Sequence, residues 1–153
     1  MRLAELETLP PLLHTTTIRV RYADTDRMGV VYYATYLLYF EIGRTELLRA
    51  CGIPYVVLEA HGYLLPVLEA HAHYHAPAHY DDVLSIRTRY LPRYTPSLRL
   101  EYEIFRETEL IATGYTLHIF MDARRWRPVR PPAIFWEAIQ RHVVQQADSG
   151  CTA

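Results

Sequence analysis

An acidic loop joins a predicted strand to a long predicted helix within residues 18–52. Apolar and arginine residues alternate ahead of the loop, which is the pattern of a half-buried strand. The loop carries Asp24, Asp26 and Gly29, and we predict a helix from about Tyr33. The first N–H groups of a helix have no partner inside it. Loop carboxylates placed next to such free donors suit chemistry on a carbonyl.

The predicted central helix is apolar nearly all round in its first half. One stripe of apolar residues recurs at helical spacing, opposite a polar stripe. Leu37, Leu38 and Ile42 extend the apolar surface beyond that stripe. We therefore expect this helix to be wrapped by other structure.

Further strands and a terminal helix complete the predicted fold. Neighbouring strands with short links favour antiparallel pairing. The pattern therefore predicts an α+β fold in which an antiparallel five-stranded sheet wraps around the long central helix, plus a C-terminal helix. Gly114 is predicted to mark a bend or bulge. The predicted strands span residues 14–22, 64–76, 83–91, 97–105 and 110–121, a short helical turn spans 54–61, and the final helix spans 133–146.

The length of 153 residues fits one domain. We predict an N-terminal arm at residues 1–13, a single domain at 14–146 and a flexible tail at 147–153.

Charge and cysteine content limit the partners and the compartment. The net charge of −1 argues against binding to nucleic acid or to anionic membranes. Acidic residues at the N-terminus argue against a signal peptide, and no apolar run approaches the length needed for membrane insertion. Cys51 and Cys151 fit two unpaired thiols in a reducing compartment. The predicted location is the cytoplasm.

The pair Asp24 and Asp26 has three possible interpretations. Both side chains could be solvated turn formers. They could form part of a metal site, although hard cations usually need more oxygen ligands. The third interpretation uses the helix that follows, because its free N–H groups can stabilise an oxyanion while a carboxylate attacks a carbonyl or activates water. These parts suffice to hydrolyse an activated ester.

A histidine-rich strand provides the main competing signal. His71, His73 and His75 project from one face, with His79 beyond, and His-x-His on a strand can hold zinc or iron. The alternative is an exposed or intersubunit face that tolerates histidine. A metal-binding β-protein therefore remains a competing hypothesis.

The segment V-R-Y-A-D-T-D-R-M-G-V-V-Y-Y-A-T-Y-L-L-Y-F-E-I-G-R-T-E-L-L resembles the active-site region of a known enzyme family. The family is the 4-hydroxybenzoyl-CoA thioesterase-like group of hotdog-fold acyl-CoA thioesterases, which includes the Tol-Pal-associated enzymes. The similarity continues through residues 77–86 and covers roughly residues 16–121. It implies a hotdog fold and an acyl-CoA thioesterase that needs no cofactor and no metal.

The resemblance also implies roles for individual residues. Asp26 would be the nucleophile or general base at the thioester. Tyr33 would supply its backbone N–H to the thioester oxygen. Gly29 would let the backbone approach the substrate, and Asp24 would shape the loop.

Further substrate contacts follow from the same resemblance. Val30, Thr35 and Ser97 would lie at the acyl-CoA site, and Arg93 is the basic residue near the family's nucleotide-phosphate position. Many family members have asparagine in place of Thr35 and histidine in place of Tyr33. The implied assembly is a homodimer or a homotetramer built as a dimer of dimers. A non-catalytic module that binds an acyl ligand is the alternative on the same fold.

Overall fold

The computed structural model describes residues 9–150. A short 3₁₀ turn at Tyr22–Asp24 follows the first strand. In chain order the elements are β1 Leu12–Arg19, α1 Thr35–Ala50, α2 Tyr55–Ala60, β2 Tyr63–Leu64, β3 Val67–Tyr74, β4 Val83–Tyr90, β5 Ser97–Arg106, β6 Glu109–Ile119, β7 Met121–Asp122, β8 Arg127–Pro128 and α3 Ala133–Gly150.

The main sheet has five strands in the order β1-β4-β5-β6-β3. Every neighbouring pair in it is antiparallel, as the sequence predicted. The expected pairing of strands adjacent in sequence was wrong for β3, which pairs with β6 and not with β4. The strands β2, β7 and β8 form a small second sheet. Strands β1 and β3 are therefore the two edges of the main sheet, and β3 is exposed along almost its whole length.

Helix α1 packs on the inner face of the main sheet. Tyr36, Phe40, Gly43 and Leu47 are buried there, and the ring of Phe40 stacks on Tyr102 at 4.4 Å between centroids. A Cβ atom at Gly43 would lie within 2.8 Å of a methyl group of Ile86 on β4. Glycine is therefore needed where the helix crosses the sheet.

The side of α1 that faces away from the sheet is only partly covered. Leu37, Leu38 and Ile42 are 39%, 55% and 38% exposed. The expectation that other structure wraps the whole first half of the helix was therefore wrong for a single chain. These side chains form an apolar surface beside the open edge strand.

The boundaries of the first strand and helix differ from the predicted ones. Strand β1 ends at Arg19 rather than at residue 22, and Tyr22 is 79% exposed in the 3₁₀ turn. The turn forms because the Asp24 carboxylate accepts a hydrogen bond from the Arg21 N–H, which draws the chain out of the sheet. The helix begins at Thr35, two residues later than predicted.

Two other features also differ. Gly114 pairs regularly with both Ala72 and Tyr102, so the predicted bulge there was wrong. Its small size instead leaves room for the Phe40 ring and the His71 carbonyl. The tail predicted at residues 147–153 is helical through Gly150. Residues 1–8 of the predicted arm, and Cys151, lie outside the described residues.

Candidate active site

Asp24 is a buried carboxylate that fixes the acidic loop in place. It is 3% exposed and accepts hydrogen bonds from the Arg21 N–H at 3.0 Å, the Arg21 guanidinium at 2.9 Å and the Tyr39 hydroxyl at 2.9 Å. Burial alone would raise the pKa of Asp24, but the hydrogen bonds from Arg21 and Tyr39 outweigh it and lower the pKa. The carboxylate is therefore charged, and its oxygens are occupied by these hydrogen bonds.

Asp26 lies at the head of a tight turn and is half-buried. Its Oδ1 accepts a 2.8 Å hydrogen bond from the Met28 N–H, and its carbonyl accepts one from Gly29 at 3.0 Å. The φ angle of Gly29 is 78°, a left-handed conformation that favours glycine. Gly29 therefore has a structural role in the turn. The second carboxylate oxygen of Asp26 accepts no hydrogen bond from residues 9–150.

An open depression of about 340 Å³ brings Asp26 and Tyr33 together. It lies between the acidic loop, the start of α1 and the end of β3. Sequence reasoning missed Tyr36, Tyr74 and His75 as members of this site, although Tyr74 follows the inward alternation of its strand. The depression is lined by Asp26, Met28, Val30, Val31, Tyr33, Tyr36, Tyr74, His75, Ala76 and Pro77.

The backbone of Tyr33 has a free donor beside this depression. The Thr35 N–H donates to the Tyr32 carbonyl, and the Leu37 N–H donates to Ala34. The Tyr33 N–H has no acceptor within the part of the chain that the structure describes. The Tyr33 carbonyl accepts a 2.8 Å hydrogen bond from the Tyr74 hydroxyl, which holds the backbone after Tyr33 against β3.

Val30 and Thr35 occupy different positions at the site. Val30 lines the depression, and it also forms an isolated β-bridge with His79. Thr35 is buried, and its hydroxyl donates a 3.4 Å hydrogen bond to the Asp24 carbonyl. Thr35 therefore braces the acidic loop and does not line the depression.

Ser97 and Arg93 lie elsewhere on the same chain. Both line a separate depression of about 270 Å³, together with Arg89, Thr95 and Arg99. Ser97 pairs with Ile119, whereas the strand end beside Asp26 contacts Ile111 at the other end of β6. Within one chain the structure thus does not bring Ser97 or Arg93 to Asp26.

The histidine-rich strand is the exposed edge strand β3. The rings of His73 and His75 stack at 4.4 Å, and His71 stacks on Tyr115. Among residues 9–150, no three His, Cys, Asp or Glu side chains are grouped so that they could hold a metal ion. The histidines of one chain therefore give the metal-binding hypothesis no site.

The depression combines three features that acyl transfer needs. Asp26 supplies a carboxylate, the Tyr33 N–H supplies a free donor, and the tyrosines around them supply aromatic walls. A donor of this kind can stabilise the oxyanion that forms when a carbonyl carbon is attacked.

Comparison with known proteins gives consistent matches. The family description "Thioesterase-like superfamily" matches residues 20–143. YneP of Bacillus subtilis is 35% identical over 115 residues, which cover 74% of this chain and 83% of YneP. The acyl-CoA thioester hydrolase YbgC of Escherichia coli is 34% identical over 112 residues, which cover 72% of this chain and 84% of YbgC.

A solved structure supports the same relationship. The protein TT1821 from Thermus thermophilus has a TM-score of 0.78 and 36% identity, covering 84% of this chain and 96% of that chain. The predicted hotdog fold is therefore confirmed. No helix among residues 9–150 is both long and apolar enough to span a membrane.

Proposed function

The chain belongs to the thioesterase-like superfamily, and from this we propose that it hydrolyses the thioester of an acyl-coenzyme A, with Asp26 and the Tyr33 N–H as its catalytic groups. The products are a free carboxylic acid and coenzyme A. The enzyme class follows from the relatives, and the roles of the two residues are our assignment.

The proposed reaction uses the two groups on opposite sides of one carbonyl. The carboxylate of Asp26 either attacks the thioester carbon or removes a proton from the water that attacks it. The carbonyl oxygen becomes negatively charged and accepts a hydrogen bond from the Tyr33 N–H. The C–S bond then breaks, and the thiolate of coenzyme A leaves and takes up a proton. Where water attacks, its oxygen enters the acid directly; where Asp26 attacks, the acid is joined to Asp26 as an anhydride, and water cleaves that bond to release the acid and restore the carboxylate.

One observation carries this assignment. Asp26 and Tyr33 line the same depression, and the Tyr33 N–H donates no hydrogen bond to any residue in the range 9–150. An unused donor beside an available carboxylate oxygen is the pair of groups that the proposed reaction needs. Asp24, by contrast, is held by three hydrogen-bonding groups, which supports a structural role for it.

We propose that two copies pair through β3 and complete the site. Among residues 9–150 this edge strand has no neighbour on one side, and long exposed edges are usually covered. Val67, Leu68 and Tyr74 on β3 are 48%, 56% and 45% exposed, beside the apolar surface of α1. By resemblance to the family, two such dimers would form the tetramer.

Assembly offers a role for the residues that lie away from Asp26. The second depression contains Arg89, Arg93 and Arg99 together with the hydroxyl groups of Thr95 and Ser97. Arg89 and Arg99 both form ion pairs with Glu101, whereas Arg93 forms none within residues 9–150. We propose that Arg93 binds a phosphate of coenzyme A and that Ser97 lies at the active site of a neighbouring subunit.

A thiol-release assay with acyl-coenzyme A substrates tests the proposed function. Asp26→Asn keeps the size of the side chain but removes its charge, so we expect kcat to fall by at least about 100-fold. The melting temperature should change little, because the asparagine side chain keeps an oxygen that can accept the hydrogen bond from the Met28 N–H.

Asp81→Asn is the matched control. Asp81 lies in an exposed loop, with 62% of its side chain accessible and a φ angle of 71° that asparagine tolerates. It should retain wild-type activity. Full activity in the folded Asp26→Asn variant would overturn the assignment.

A further inference from the structure

A cavity lies within the fold, separate from the depression at Asp26 and from the depression at Ser97 and Arg93. It has a volume of about 230 Å³ between the second half of α1 and strands β5 and β6. Four leucines form most of its apolar wall, and Arg44 and His118 give it a polar end. Its lining residues are Glu41, Arg44, Thr45, Leu48, Tyr55, Leu65, Leu98, Leu100 and His118.

Arg44 is a largely buried cation with few partners. Its side chain is only 19% exposed, and its ion pair with Glu41 is long, at 3.9 Å. It also interacts with the hydroxyl of Tyr102. A guanidinium has five N–H donors, so within residues 9–150 most of the donor capacity of Arg44 has no acceptor. A largely buried cation with unused N–H donors is costly unless an anion accepts hydrogen bonds from it.

A chain of hydrogen bonds behind Arg44 fixes the polar end of the cavity. The Nδ1 atom of His118 donates to the Leu65 carbonyl at 3.3 Å, so its Nε2 accepts from the Thr116 hydroxyl at 2.8 Å. The Tyr102 hydroxyl then donates to Thr116 at 2.6 Å and is left with lone pairs that face Arg44. Each hydroxyl group keeps its proton in these hydrogen bonds. The network therefore contains no anion that could pair with Arg44.

A continuous side of α1 links the cavity to the Asp26 depression. Leu37, Glu41, Arg44 and Leu48 follow one another at spacings of four, three and four residues, which places them on one side of the helix. The depression includes Tyr36, directly before Leu37. Glu41, whose side chain is 60% exposed, marks the mouth of the cavity.

Strand β3 supplies the other wall of this path. Tyr74 lies at the Asp26 depression, and Leu65 just ahead of the strand lies at the cavity. Between them Ala70 and Ala72 face α1, because they pair with Thr116 and Gly114 of β6. The side chain of Ala70 is small and exposed, so this stretch of β3 is open to a ligand that lies along the exposed side of α1.

We propose that this path holds the acyl chain of the substrate and that Arg44 selects acyl groups ending in a carboxylate. The inference rests on the proposed thioesterase function. From Thr35 to Arg44 the helix rises about 14 Å. A chain advancing about 1.2 Å per bond needs roughly twelve carbons to cover it. The substrate class is therefore the coenzyme A thioester of one end of a medium to long dicarboxylic acid.

Matched substrates test the proposal on the full-length protein. Three acyl-coenzyme A thioesters of about twelve carbons are compared, ending in a carboxylate, a hydroxyl or a methyl group. We expect kcat/KM to be about 10- to 100-fold higher for the carboxylate, the range for a hydrogen-bonded charge pair. Arg44→Leu should remove that preference while leaving hydrolysis of the methyl-ended substrate within a few-fold of wild type.

A second variant avoids any dependence on the folding of Arg44→Leu. Glu41→Gln removes a mostly exposed carboxylate that repels the substrate and competes for Arg44. It should raise kcat/KM several-fold for the carboxylate-ended substrate alone.

Each outcome separates this inference from the proposed function. Equal or better hydrolysis of the methyl-ended or hydroxyl-ended substrate by wild type overturns the role of Arg44, while Asp26→Asn still reports on the catalyst. A Glu41→Gln variant that affects all three substrates alike also overturns it. If wild type hydrolyses none of the three and no shorter acyl-coenzyme A, both proposals fail.

Discussion

The hydroxyl of Tyr39 donates a 2.9 Å hydrogen bond to Oδ2 of Asp24 and so ties the acidic loop to the buried side of α1. The same carboxylate binds Arg21 on the far side of the loop. Asp24 thus sets the position of the turn that carries Asp26, although it does not face the depression itself.

Asp24→Asn should destabilise the protein by about 2–3 kcal/mol, because it removes charge-assisted hydrogen bonds inside a buried network. The pKa of Asp24 is lowered in the folded state, so its stabilising contribution is complete above about pH 4 and is lost as pH falls through the lowered pKa. Urea unfolding of wild type and variant measures the difference. The difference between their free energies of unfolding should be largest near neutral pH and should become smaller below about pH 4.

Asp81→Asn serves as control here too. Its ion pair with Arg19 is exposed, and such pairs contribute about 1 kcal/mol or less. A difference in free energy of unfolding between wild type and Asp24→Asn that does not change with pH would contradict the role given to this carboxylate.

Tyr33→Pro removes the N–H assigned to the oxyanion while the residue stays just ahead of the helix, where proline is tolerated. We expect kcat to fall by about 100- to 1000-fold. Tyr33→Phe keeps the N–H and loses only the hydroxyl, so it should stay within a few-fold of wild type. The thiol-release assay, with circular dichroism to check folding, compares them. Similar losses in both variants would argue for the side chain and against the amide.

Leu38→Glu places a charge on the apolar surface of α1 beside β3. If that surface is buried between two copies, the change should shift the protein toward monomer and reduce activity with it. Sedimentation velocity measures the assembly. The matched control is Leu13→Glu on the opposite edge strand, because Leu13 and Leu38 are 53% and 55% exposed. Loss of assembly in the Leu13 variant alone would place the contact at β1.

His118→Gln should make the protein less sensitive to mild acid. Burial, with a smaller effect of Arg44, lowers the pKa of His118 to about 4. Between the ordinary histidine pKa of about 6.5 and pH 4, the unfolded chain therefore binds a proton that the folded chain does not, so stability is lost as pH falls.

The expected size of this effect is about 2–3 kcal/mol between pH 7 and pH 4.5. Glutamine cannot titrate, so the variant should lack that part of the loss in urea unfolding across this range. His71→Gln, a matched change at an exposed histidine of β3, should follow the wild-type profile. Parallel profiles for wild type and His118→Gln would show that folding does not lower the pKa of His118.

The sequence determined the main elements and the antiparallel sense of their pairing, whereas the order of the strands in the sheet was decided by the tertiary structure. Alternation at period two predicted β4 and β5 to within a residue or two of their ends, because each has one face against α1 and one face in solvent. The D-x-D-x-x-G-V-V-Y segment predicted the family, which is confirmed. These features depend on local spacing, which can be read directly from the chain.

Tertiary structure alone decided which polar side chains have hydrogen-bond partners and which are left available. Asp24 and Asp26 are two residues apart in similar sequence, yet Arg21 and Tyr39 bury one and leave the other at a depression. Helix and strand ends also shifted, because the hydrogen bond from the Arg21 N–H to Asp24 ends the strand early. The positions of Tyr74 beside Tyr33, and of Arg44 beside Tyr102, depend on contacts between elements distant in sequence. Such contacts follow from how the helix lies across the sheet, and no local pattern encodes that.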